Sequence, residues 1–195
     1  MYNESALLAI EEDVFVFPTS FAQQRLWFLD QLQPGDPTYN IPVAVRLRGA
    51  LDVAALTESF NEVVRRHESL RTTFTAQDGE PVQVVAERLT LELPVVDLRD
   101  RPTPDREAEL QVLSAMEGQR SFDLAHGPLL RVMLVQLQDD DYVLLLNMHH
   151  IVSDGWSISV LIGEVAALYT SFVTGEPAPL PALPIQYADY SVWQR

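Results

Sequence analysis

The chain has 195 residues, 47% hydrophobic and 21% charged. At roughly 150 residues per domain this is one domain with a real core, and the balance excludes a disordered chain. It has no cysteine, which excludes disulfides, thiolate metal sites and thiol catalysis and suits the reducing cytoplasm expected here, while 13 Lys and Arg against 28 Asp and Glu leave a charge of −15 that repels nucleic acid and anionic membranes.

Residues 1–13 carry acidic side chains and no Lys or Arg, so they read as no signal peptide. The longest strongly apolar run, Tyr142–Met148, is far short of the roughly 20 residues of a membrane helix. Up to about Phe17 the chain is weakly patterned. Ser20 reads as the N-cap of a helix running to Leu32, where Pro34, Gly35 and Pro37 break it. Ile41, Val43, Val45 and Leu47 alternate with Pro42, Ala44, Arg46 and Arg48, which predicts a half-buried strand. Leu56, Phe60, Val63, Val64 and His67 share one face of a helix predicted over 52–70, with Asp52 as cap. His67 there reads as a hydrogen-bonded buried imidazole. Thr72–Thr75 and Pro81–Val85 predict a hairpin about Asp78-Gly79, Leu89–Val96 a further strand, and 105–120 a second helix.

Leu129–Leu137 and Tyr142–His149 predict an antiparallel hairpin, its second strand apolar on both faces and therefore covered on both. A third helix follows Ser153-Asp154-Gly155 and ends at Gly175, and a Pro-rich connector leads to the start of another element at Ile185–Arg195. The order implies an α+β fold, a mixed β-sheet with helices packed on it.

The chemistry concentrates in Met148-His149-His150-Ile151-Val152-Ser153-Asp154-Gly155-Trp156-Ser157. Adjacent strand residues point to opposite faces, so one imidazole faces the core and the other a cleft, where a neutral ring can take a proton near pH 7. Asp154 reads as an N-cap or as the partner of an arginine. Gly155 marks a backbone conformation or a close approach that a side chain would block, and Trp156 reads more readily as core than as site. The diverging histidines argue against a metal, and no G-x-S-x-G elbow surrounds Ser153 or Ser157.

Four segments in order carry a resemblance. His149-His150-Ile151-Val152-Ser153-Asp154-Gly155 is similar to the HHxxxDG signature of nonribosomal peptide synthetase condensation domains. Ser20–Leu29, Arg66–Phe74 (RHESLRTTF) and Tyr187–Trp193 resemble three further motifs of that family. The resemblance implies a chloramphenicol acetyltransferase-like lobe. It divides the chain into an extension at 1–16, the N-terminal lobe at 17–174, and a connector with the start of the next element at 175–195. The later motifs belong to a C-terminal lobe that this sequence does not contain. The implied function is attack of an acceptor aminoacyl amine on a donor thioester, both carried on the 4'-phosphopantetheine of donor and acceptor peptidyl carrier proteins beside adjacent synthetase domains, with no tightly bound cofactor. His150 matches the catalytic position. His149, Asp154 and Gly155 match structural and chamber-lining ones. Asp154 is expected to pair with Arg71 or, second, Arg66, and Ser153, Trp156 and Ser20 to line the substrate tunnel. SFAQQRLWFL and SDGWS resemble variants that join an L-donor to an L-acceptor, or starter variants. The isolated lobe is expected to be weakly active or inactive. The alternatives are a recruiting module of the same fold and a stand-alone acyltransferase using coenzyme A thioesters.

Overall fold

The computed structural model describes residues 14–195. Most of the expected N-terminal extension lies outside the described residues, but its last part does not: Val14–Pro18 form strand β1. Nothing local marks this strand. It is held by antiparallel pairing with β4 (Glu80–Ala86), Phe15 opposite Val85. β3 (Thr72–Gln77) pairs the other edge of β4, giving a small sheet of order β1-β4-β3. Asp78 and Gly79 join β3 to β4 with φ of 54° and 86°, the left-handed pair that a two-residue hairpin turn requires.

The larger sheet runs β2 (Asn40–Arg48), β7 (Asp141–His149), β6 (Leu130–Gln138) and β5 (Val95–Asp97), antiparallel except for β5 against β6. Every residue of β7 is buried, as its unbroken apolar run requires. Its alternate side chains enter two cores. Leu144, Leu146 and Met148 meet Phe60, Val63 and Val64 of α2 (Val53–Arg66) and Leu161, Val165 and Leu168 of α4 (Gly155–Thr174). Val143 and Leu145 meet Leu98 and, on α3 (Thr103–Gln119), Leu110 and Leu113.

The predicted caps form. Ser20 Oγ accepts from Gln23 N at 3.2 Å while Gln23 Oε1 accepts from Ser20 N at 2.9 Å, a capping box that starts α1 (Phe21–Leu32). Asp52 Oδ1 accepts from Ala55 N at 3.0 Å at the start of α2. Gly175 ends α4 with φ 75°.

Two boundaries and one hydropathy reading differ from the sequence expectations. The helix predicted to Leu70 stops at Arg66, and Glu68–Arg71 tighten into a 3-10 turn. The strand predicted at Leu89–Val96 shrinks to Val95–Asp97, because Asn61 of α2 takes the backbone hydrogen bonds of Leu91: its Oδ1 accepts from Leu91 N at 2.8 Å and its Nδ2 donates to Leu91 O at 3.2 Å. Leu91 is buried and Leu89 and Leu93 pack against the core without joining a ladder. The longest apolar segment is α4 rather than Tyr142–Met148. Among the described residues α4 is the one helix long and apolar enough to span a membrane, but its Leu161, Val165 and Leu168 are buried against α2 and the sheet.

The terminal element is helix α5 (Tyr187–Trp193). A buried amide network ties it back to the fold. Gln23 Nε2 donates to Gln83 Oε1 at 2.9 Å, and Gln83 Nε2 donates to Pro18 O at 2.9 Å and Ser191 Oγ at 3.1 Å. This anchoring places the connector before α5 beside the end of β7.

Candidate active site

β7 ends at His149, and the two imidazoles separate there as strand alternation demands. His149 is buried. Its Nδ1 accepts from Ile151 N at 3.1 Å, so in the neutral ring Nε2 carries the proton. Tyr39 and Phe122 flank it, the latter edge-on with centroids 6.1 Å apart. Burial, with a smaller contribution from His150, lowers its pKa to about 4. His149 is therefore neutral at physiological pH.

His150 has the opposite tautomer and setting. Its backbone N donates to Tyr39 O at 2.8 Å, and its ring is exposed. Its Nδ1 lies 2.8 Å from Ser153 O. A carbonyl can only accept, so Nδ1 holds the hydrogen and the lone pair sits on Nε2. His150 borders a cavity of about 410 Å³ with Leu26 of α1, His67, Ser69, Ser153 and Tyr187. The cavity lies between α1, the turn after α2, the N-terminus of α4 and the connector before α5.

A half-buried ion pair stands behind His67, which borders this cavity. Arg66 Nε donates to Glu164 Oε2 at 3.0 Å, and His67 Nε2 lies 2.9 Å from the same oxygen. Burial works to raise the Glu164 carboxyl, but the bonds from Arg66 and His67 outweigh it and hold it below its ordinary range. Arg66 also donates to Pro181 O at 3.0 Å, and Gln186 Nε2 donates to Arg66 O at 2.9 Å, so the connector is fastened to the end of α2.

The structure corrects several expectations. Among the described residues, Asp154 pairs with no arginine. It caps α4, its Oδ1 accepting from Ser157 N at 2.8 Å and Ser157 Oγ at 2.7 Å, and these bonds, the backbone one first, hold its carboxyl below the usual range. Arg66 is committed to Glu164. Arg71 donates to Glu68 at 3.2 Å and to the carbonyl of Ala86, on the side of the small sheet. Gly155 has neither a left-handed backbone nor a close neighbour, since a Cβ there meets none of the described residues within 4 Å. Trp156 is 81% exposed rather than core. Ser20 is buried at its cap, where Oγ bonds Tyr187 Oη at 3.0 Å, so Tyr187 and not Ser20 meets the cavity. Ser153 does line it. His67 is hydrogen-bonded as read, yet it also reaches the cavity wall. The sequence held no sign of this, because its partner Glu164 is 97 residues away.

Two imidazoles of opposite tautomer, one buried and one exposed beside a groove, stand at the end of a covered strand of an α+β lobe. The sequence profile of the Condensation domain family matches residues 15–195, and the chain belongs to that family. It is 50% identical over 193 residues to a linear gramicidin synthase of Brevibacillus parabrevis, covering 99% of this chain and 4% of that synthase. It is 49% identical over 178 residues to the phosphinothricin tripeptide synthetase PhsC of Streptomyces viridochromogenes, covering 91% of this chain and 16% of that protein. The chain thus spans a small part of the curated relatives it matches. Among solved structures, the starter condensation domain of rhizomide synthetase RzmA superposes with a TM-score of 0.83 at 23% identity, over 92% of this chain and 43% of that one. The X-domain from teicoplanin biosynthesis gives 0.80 at 31% identity, over 90% and 37%. The fold is that of a condensation-domain lobe.

Proposed function

We propose that this chain is the N-terminal lobe of a peptide-bond-forming catalytic domain. The observation that carries the reading is the bond from His150 Nδ1 to Ser153 O, which leaves Nε2 bare on a ring that borders the cavity. Nε2 accepts a hydrogen bond from the amine of an acceptor aminoacyl thioester, which orients the amine's own lone pair at the donor thioester carbonyl. The C–N bond forms, the C–S bond breaks, and the amine's proton passes to the departing thiolate. The two thioesters arrive on phosphopantetheine arms of donor and acceptor carrier proteins, in the cytoplasm. The donor is an L-aminoacyl or peptidyl group, or a starter acyl group, as SFAQQRLWFL and SDGWS suggest.

A domain-sized enclosure is needed to hold two tethered reactants, and orientation contributes several kcal/mol of barrier. Amide formation by residues 1–195 alone, followed by mass spectrometry with both carriers loaded, is expected to be at least about tenfold slower than by a protein that also contains the second lobe. Equal rates would overturn that dependence, and no product from either would overturn the amide-forming reading. A second reading, recruitment of another protein, is supported by the likeness to the X-domain, which has been solved in complex with OxyB. In that case removing the His150 imidazole would leave function intact.

A further inference from the structure

A second imidazole borders the cavity of His150. His67 follows the last turn of α2, lines the same space of about 410 Å³, and keeps 23% of its side chain exposed. Its hydrogen bonding settles which nitrogen is free to act. Nε2 lies 2.9 Å from Glu164 Oε2, which also accepts from Arg66 Nε at 3.0 Å. Burial, the largest influence, pushes the Glu164 carboxyl up, but the bonds from Arg66 and His67 together bring it below its ordinary range, so it is ionised near pH 7. An ionised carboxylate only accepts, so Nε2 keeps its hydrogen and the lone pair of the neutral ring sits on Nδ1. Nδ1 bonds none of the described residues and is not one of their buried unpaired atoms.

The chemistry leaves a place for such a nitrogen. The ordinary pKa of an α-amine is about 7.7–8.0, so near pH 7 the acceptor arrives mostly as an ammonium ion, which has no lone pair to attack with. One proton must go before His150 Nε2 can orient the amine. A carboxylate bonded to one imidazole nitrogen fixes the ring and stabilises the imidazolium formed when the other nitrogen takes a proton. The charges around His67 suit that cation. Arg66 precedes it and shares Glu164, Glu68 follows it and pairs with Arg71, and Asp154, His150 and Tyr187 border the same cavity. The carboxylates of Glu68, Glu164 and Asp154 outnumber the guanidiniums of Arg66 and Arg71.

We propose that His67 is a second catalytic imidazole: its Nδ1 takes the proton that the incoming acceptor ammonium must lose, and His150 Nε2 then orients the neutral amine. This rests on the amide-forming function proposed above. One N–H bond of the ammonium breaks, its electron pair stays on nitrogen, and the proton forms the Nδ1–H bond. That proton leaves to water before the next turnover.

The test follows kcat/KM for an aminoacyl pantetheine acceptor across pH in the two-lobe domain, with one fixed donor thioester. His67→Gln keeps a side-chain donor for Glu164 but holds no base. It is expected to lower the rate about tenfold at pH 7, the inverse of the neutral fraction of such an amine. The deficit shrinks as pH rises and vanishes where the amine is neutral in solution. An acceptor with an aminooxy group in place of the α-amine, already neutral at pH 7, shows no deficit. A further readout needs no substitution: ¹⁵N NMR should find the neutral His67 ring protonated at Nε2, with Nδ1 gaining its proton as pH falls. No deficit in His67→Gln, a deficit equal at every pH and with both acceptors, or a neutral ring protonated at Nδ1 overturns the role of His67 alone. No turnover by the unaltered two-lobe domain overturns the amide-forming reading and the role of His67 with it.

Discussion

Changing His150 to Ala in the two-lobe domain is expected to lower amide formation about 10²–10⁴-fold, the usual worth of a positioned acid–base group. The expectation comes from geometry. Nδ1 is spent on Ser153 O, so Nε2 is the nitrogen available to substrate, and the ring borders a cavity of about 410 Å³. Loss of the ring removes the acceptor for the amine proton without removing a core contact, because the side chain is exposed. Carrier binding, measured by titration with loaded carrier protein, should therefore survive. Unchanged turnover in the variant would assign the chemistry elsewhere and favour a recruiting role.

His149 gives a stability signature of opposite kind. Its folded pKa of about 4 lies below the ordinary value near 6.5 because burial disfavours the imidazolium. The unfolded chain thus binds the proton more readily than the folded one between these values. Stability rises with pH wherever that holds, so the penalty is absent above about pH 6.5 and grows as pH falls towards 4. A difference of about 2.5 pKa units corresponds to about 3 kcal/mol at full development. Urea denaturation at pH 7.5 and 4.5 should show the loss, and His149→Gln should remove close to that amount from the difference between the two pH values. An acid limb unaltered by His149→Gln would mean that the buried ring does not carry it.

Much of this architecture could be read from local pattern. The alternation in Ile41–Arg48 gave β2, the doubly apolar Tyr142–His149 gave the covered strand β7, and Ser20 and Asp52 gave two helix caps, each because its signal lies within a few residues. What escaped depends on contacts distant in sequence. β1 has no pattern of its own and exists through β4, and the backbone of Leu91 is claimed by Asn61. The site divides along the same line. Alternation correctly set His149 and His150 on different sides, and one of the two readings of Asp154, the N-cap, is what the structure holds. The other reading, an arginine partner, was narrowed to Arg71 or Arg66 by the family resemblance, and Glu164 and Ala86 hold those guanidiniums in ways no local spacing reveals. The wall formed by His67, Gln186 and Tyr187 is assembled from segments more than a hundred residues apart, so its part in the cavity was invisible until the chain was folded.

The most direct measurement is the tautomeric state of the histidine rings by ¹⁵N NMR near pH 7.5 in the two-lobe domain. A His150 ring protonated at Nδ1 with a bare Nε2, beside a His149 ring protonated at Nε2, is the predicted result. A His150 ring that carries its proton on Nε2 and leaves Nδ1 bare would contradict the account, because no lone pair would then face the amine.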